Sequence, residues 1–156
     1  SMCGNGGRCV VAFAKELGLI TEYCNFLAYD GLHSARCISE DNIALKMTDV
    51  SVVKSIADAW QIDTGSPHLI FFKNNIKDIN VKEDGASVRN SSIYKEQGIN
   101  VNFAERIGDD LVLRTYERGV EDETLACGTG AIATAIAARE SGLINEDKVL
   151  VNVMGI

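Results

Sequence analysis

Apolar residues change their spacing several times along this chain, and each change marks an element. Val10, Phe13 and Leu17 recur at helical spacing, and Gly18 follows as a stop. Tyr23 to Met47 reads as strands broken by turns at Tyr29-Asp30-Gly31 and Ser39-Glu40-Asp41-Asn42. Val50 to Trp60 has mixed periodicity and fits no single element. After the turn Gly65-Ser66-Pro67, His68 to Phe72 reads as a short strand. Ile99 to Ile107 and Leu111 to Tyr116 predict a hairpin about Gly108-Asp109-Asp110. Ala131 to Ala138 is apolar on nearly every side, a pattern that calls for protein all around the helix. Val149 to Val153 begins a last strand. The pattern as a whole predicts an α+β chain, mostly strands, with two helices that matter.

Those two helices open on copies of one motif. Cys3-Gly4-Asn5-Gly6 leads to Glu16-Leu17-Gly18-Leu19-Ile20, and Cys127-Gly128-Thr129-Gly130 leads to Glu140-Ser141-Gly142-Leu143-Ile144. Shifting one copy by 124 positions gives 8 identities in 18, with cysteine and glycine in register. The repeat predicts two pseudo-symmetric domains, each a curved, mostly antiparallel sheet around a central helix. The seam is placed near Asp63 to Pro67, giving domains 1–62 and 63–156. No strand precedes Cys3, and the chain stops at Met154-Gly155-Ile156 just after a strand begins. The chain therefore reads as truncated at both ends, with an incomplete first domain whose Val10, Phe13 and Leu17 lack a sheet to cover them.

Composition narrows the classes. A net charge of −7 without a basic stripe argues against nucleic acid as a partner. No apolar run approaches the roughly 20 residues that span a bilayer, and the first residues do not resemble a signal peptide. Cysteines 3, 9, 24, 37 and 127 are odd in number and include no C-x-x-C pair, which suits reduced thiols in the cytoplasm. His33 and His68 lack the close pairing of a zinc site, so no metal is expected.

The chemistry points to the two thiols. A cysteine at a helix start sits among unpaired backbone N–H groups at the positive end of the helix dipole, which favours thiolate. The N–H groups of Gly4, Asn5 and Gly6, and of Gly128, Thr129 and Gly130, suit an anion such as a carboxylate. They would also stabilise the charge that forms when its α-carbon loses a proton. A single C-G-x-G reads more readily as a packed turn, and the matched pair reverses that preference. Cys9, Cys24 and Cys37 read as packing residues. Arg118 in Glu117-Arg118-Gly119 suits a bidentate grip on a carboxylate, against the bland alternative of a surface ion pair. Asn100 fits either a polar ligand contact or a strand edge, and His68 a core or supporting role.

Met2-Cys3-Gly4-Asn5-Gly6-Gly7-Arg8-Cys9 resembles the first cysteine motif of the diaminopimelate epimerase family. Glu117-Arg118-Gly119 with Thr124-Leu125-Ala126-Cys127-Gly128-Thr129-Gly130-Ala131 resembles the second. Gly65-Ser66-Pro67-His68 and Asn100-Val101-Asn102-Phe103 match intermediate signatures in the same order. The resemblance implies epimerisation of LL- to meso-diaminopimelate for lysine and peptidoglycan precursors, without pyridoxal phosphate or another cofactor, by a homodimer. It implies that Cys3 and Cys127 are the two bases and that Gly4, Asn5, Gly128 and Thr129 cradle the reacting carboxylate. It assigns Ser66, Asn100, Glu117 and Arg118 to the distal end of the substrate.

Ser66 departs from the asparagine usual in the family, which shortens the reach of that side chain. The nearest rival is a proline or hydroxyproline racemase, whose first motif typically carries histidine where this chain has Asn5. A non-catalytic anion-binding or redox module, with the thiols as a switchable disulfide, is the rival of another class.

Overall fold

The computed structural model describes residues 3–154. Met2, at the head of the first motif, and the chain ends at Ser1 and Gly155-Ile156 lie outside the described residues. Contacts divide the chain into two compact units, Ser1–Asp49 and Val50–Ile156. This division falls earlier than the seam read from the sequence. The unassigned stretch from Val50 folds into strands β4 (Val53–Ile56) and β5 (Ala59–Asp63), and β5 pairs with the next strand rather than with the first unit.

Unit 1 opens with helix α1 (Gly4–Glu16), followed by strands β1 (Tyr23–Ala28), β2 (Gly31–Cys37) and β3 (Ile43–Leu45). The strands form an antiparallel sheet in the order β1-β2-β3, broken at the turns predicted from the sequence. Strict alternation along β2 buries His33, Ala35 and Cys37 on one face. Val11 of α1 packs on Ala35 and Cys37, with Phe26, Ile43 and Leu45 around them. The stop glycine works as the repeat implies. Gly18 takes φ 69°, its N–H donates to the Lys15 carbonyl, and the Leu19 N–H donates to the Ala14 carbonyl. The other stripe of α1 is bare: Val10, Phe13 and Leu17 are 57%, 60% and 56% exposed.

Unit 2 adds β6 (Pro67–Phe72), helix α2 (Val81–Arg89), β7 (Asn100–Ile107), β8 (Asp110–Glu117), β9 (Asp122–Thr124), helix α3 (Gly128–Glu140) and β10 (Val151–Val153). One sheet runs β10-β8-β7-β6-β5-β4, with β9 on β8. The pairs β6–β7 and β10–β8 are parallel and the others antiparallel. The predicted hairpin is β7–β8. Period-two alternation sends Leu69, Val101 and Phe103 to one face, where Ile76, Val81 and Tyr116 join them. Ile70, Ala104 and Leu113 face the other way onto Ala133 and Ala137 of α3.

Two features depart from the sequence reading. Helix α2 is a third helix, capped by the Asn80 side chain, which accepts from the Glu83 N–H. Helix α3 is covered on one face rather than all round: Ala133, Thr134, Ala137 and Ala138 are buried, and Ile132, Ala135 and Ile136 only partly so. No helix among the described residues is long and apolar enough to cross a membrane.

Candidate active site

Both motif cysteines occupy the position before the first helical residue. Cys3 has extended backbone angles (φ −79°, ψ 116°), and Cys127 likewise (φ −122°, ψ 104°). An extended cap residue followed by helical backbone leaves the first N–H groups of each helix unpaired within the helix. The two thiols then differ. Cys3 Sγ accepts a hydrogen bond from the Gly6 N–H at 3.5 Å, capping α1. Cys127 makes no such cap; its Sγ lies 3.5 Å from Thr129 Oγ1. Gly4 is buried, and the Asn5 carboxamide oxygen accepts from the Arg8 guanidinium one turn along the helix.

Around Cys127 the hydrogen bonds run inward. Thr129 Oγ1 is 2.9 Å from His68 Nε2, His68 Nδ1 is 3.1 Å from Asn102 Nδ2, and Asn102 Oδ1 accepts from the Thr115 hydroxyl at 3.0 Å. His68 and Asn102 are fully buried. Burial pushes the His68 imidazole down to about 4, and the positive charge of Arg118 acts in the same direction. An amide oxygen against the ring would oppose that shift. Asn102 instead turns its nitrogen there, because the same nitrogen faces the carbonyls of Leu69 and Asn100 at 3.2 and 3.5 Å. The ring is neutral. The Thr64 hydroxyl donates to the Thr129 carbonyl at 3.0 Å and tethers the helix start to the end of β5. Gly130 lets the helix come this close: a Cβ there would sit 2.7 Å from Asn102 Oδ1 and 3.3 Å from His68 Cε1.

A second cluster lies at the same end of the sheet, since the parallel register pairs His68 with Asn100. Asn100 Nδ2 donates to Ser66 Oγ and to the Pro67 carbonyl, both at 2.9 Å, and its Oδ1 accepts from the Arg118 N–H at 2.9 Å. One side chain thus ties together the starts of β6 and β7 and the end of β8. The Arg118 guanidinium donates to the Gln97 carbonyl at 3.0 Å, and Glu117 accepts from the Thr124 hydroxyl at 2.8 Å.

Unit 2 therefore brings Ser66, Asn100 and Arg118 into one hydrogen-bonded cluster, and places Cys127 and Thr129 in the other. Cys3, Gly4 and Asn5 share the start of α1 in unit 1. The sequence reading passed over Asn102 and the hydroxyls of Thr64, Thr115 and Thr124. Asn102 was detectable in principle, as a polar residue between Val101 and Phe103 in a strand otherwise suited to burial, where it must find partners.

The family model described as diaminopimelate epimerase matches residues 60–155, from β5 through the Cys127 motif to β10. The chain belongs to the diaminopimelate epimerase family. Among curated relatives, the diaminopimelate epimerase of Flavobacterium psychrophilum is 47% identical over 156 residues, covering 99% of this chain and 61% of the relative. That of Chlorobaculum tepidum is 40% identical over 161 residues, covering 98% of this chain and 63% of the relative. That of Aquifex aeolicus is 36% identical over 158 residues, covering 95% and 57%. The chain spans about three fifths of the length of these diaminopimelate epimerases.

Proposed function

We propose that this chain supplies the two bases of a diaminopimelate epimerase, which converts LL- to meso-diaminopimelate for lysine and peptidoglycan precursor synthesis. The observation that carries this reading is the matched pair of helix starts, Cys3 before α1 and Cys127 before α3, in a member of this family. One cysteine, as thiolate, takes the α-proton from the substrate. The electron pair left on the α-carbon is delocalised into the carboxylate, and the other cysteine, as thiol, returns a proton to the opposite face. The first base ends as thiol and the second as thiolate, so the roles exchange in the reverse direction. The N–H groups of Gly4, Asn5, Gly128 and Thr129 hold the carboxylate and the charge that builds on it. Ser66, Asn100, Glu117 and Arg118 hold the distal amino-acid end. Each of two domains carries one base, no cofactor takes part, and the working form is a cytoplasmic homodimer.

The test is α-proton exchange in deuterated water, with diaminopimelate, proline and hydroxyproline offered in parallel to the intact protein. Deuterium is expected in diaminopimelate alone. Exchange into proline or hydroxyproline in its place, or into none of the three, would overturn the reading.

A further inference from the structure

Asn102 has no place in the chemistry just described, yet it is completely buried at the centre of the sheet and all its polar atoms are engaged. Its orientation is fixed by its surroundings. A flipped amide would set its oxygen against the carbonyls of Leu69 and Asn100, so Nδ2 faces this side. Its two hydrogens go to the nearer acceptors, His68 Nδ1 at 3.1 Å and the Leu69 carbonyl at 3.2 Å, with the Asn100 carbonyl more distant at 3.5 Å. A nitrogen that receives an N–H cannot carry a proton of its own. His68, neutral at physiological pH, must then keep its proton on Nε2, the atom 2.9 Å from Thr129 Oγ1. The Thr129 oxygen accepts that proton, which leaves its single hydroxyl hydrogen to donate elsewhere, and Cys127 Sγ lies 3.5 Å away.

We propose that Asn102 is a positioning residue for the second base: by donating to His68 Nδ1 it selects the Nε2–H tautomer, which turns the Thr129 hydroxyl hydrogen onto the Cys127 sulfur. Donation to the sulfur stabilises thiolate over thiol. With the opposite tautomer, Thr129 would donate to His68 and turn its lone pairs toward the sulfur, favouring the thiol. The absence of a side chain at Gly130 is part of the device, because a Cβ there would displace Asn102 Oδ1 and the His68 ring together. This inference rests on the reading of Cys127 as a base.

The test needs no substrate. In the intact protein labelled with 15N-histidine and Cβ-13C-cysteine, the histidine nitrogens report the tautomer and the Cys127 Cβ reports thiolate against pH. The wild type is expected to show His68 protonated on Nε2. Asn102→Leu should lose that preference and lower the thiolate fraction of Cys127 at neutral pH several-fold. Thr129→Val should lower it by about tenfold, the worth of one hydrogen bond to a charged group, and Thr129→Ser should restore it. Adding Asn102→Leu to Thr129→Val should change Cys127 no further, because the effect passes through the hydroxyl. A wild-type His68 protonated on Nδ1 would overturn the proposal without any variant. So would an unmoved Cys127 titration in Asn102→Leu, or an Asn102→Leu effect that persists in the Thr129→Val background. Lack of diaminopimelate exchange would overturn the functional reading and leave these measurements standing.

Discussion

His68 and Thr129 meet at 2.9 Å across 61 residues of chain, joining the start of β6 to the first turn of α3. Burial at this junction holds the folded state to a neutral imidazole, and that sets a pH dependence. In the unfolded chain His68 takes a proton near pH 6.5, whereas in the fold burial delays this to about 4. Between those values only the unfolded chain binds the proton. Stability should therefore be fully present above about pH 6.5 and fall as acid is added down to about pH 4, by ~3 kcal/mol in all. Lys73 and Lys82 hold the carboxyls of Asp58 and Asp122 below their usual range, and the Gly119 N–H does the same for Glu121; all three add to the loss only at the acid end of this window, below about pH 5. Urea unfolding followed by Trp60 fluorescence across pH 4 to 7.5 measures the slope, and His68→Gln should abolish most of it.

Cys3→Ser and Cys127→Ser should each lower diaminopimelate exchange by about 10²–10⁴-fold, the usual worth of a positioned acid or base. A serine hydroxyl is a far weaker acid than a thiol and supplies almost no base at neutral pH. The swap is nearly isosteric, so circular dichroism should report an intact fold. A single variant retaining wild-type exchange would remove that cysteine from the mechanism.

Arg118→Lys separates recognition from folding. The Arg118 side chain is exposed and donates to the Gln97 carbonyl, so stability should change by about 0.5 kcal/mol or less. Lysine keeps the charge and loses the planar fork that matches a carboxylate. KM for diaminopimelate is expected to rise about tenfold, consistent with one lost charge-assisted hydrogen bond. An unchanged KM would return Arg118 to the role of a surface contact.

The repeat aligns Gly6 with Gly130, and the two should respond oppositely to a methyl group. A Cβ at Gly6 meets Cys3 Cβ at 3.6 Å, an ordinary contact, whereas one at Gly130 comes within 2.7 Å of the buried Asn102 oxygen. Gly130→Ala should destabilise by about 1–3 kcal/mol through forced repacking. Gly6→Ala should be neutral or slightly stabilising, as alanine is the better helix former. Thermal melts of the two variants against wild type decide it.

The legible parts of this chain were those written in local punctuation. The cysteine and glycine repeat located both helix starts and the stops at Gly18 and Gly142, because cap chemistry is set within a few residues. Gly108 with flanking alternation located the β7–β8 hairpin for the same reason. Helix α2 escaped because Val81–Arg89 has only two apolar residues larger than alanine, Val81 and Val88, and Gly85 interrupts it; packing on the sheet, more than propensity, makes it a helix. The sequence places the seam near Asp63 to Pro67 and the contacts divide the chain at Val50, because Val50 to Trp60 shows no period of its own and its assignment depends on pairing with β6 across a tight turn. The polar network beneath Cys127 was invisible for a related reason. It is assembled from β6, β7, β8 and α3, and no spacing along one segment encodes which of their side chains will meet.

Strand β7 is flanked by β6 and β8, and its first five residues, Asn100 to Ala104, are buried on both faces. Its amides have no local route to solvent, so their exchange with deuterated water should require opening of the whole sheet, and they should be among the last in the molecule to exchange. Asn100 and Asn102 stand at the head of that strand. These two asparagines are therefore built on a segment closed to solvent on both faces, and they should hold their positions in the resting protein rather than acquire them on encounter with a ligand.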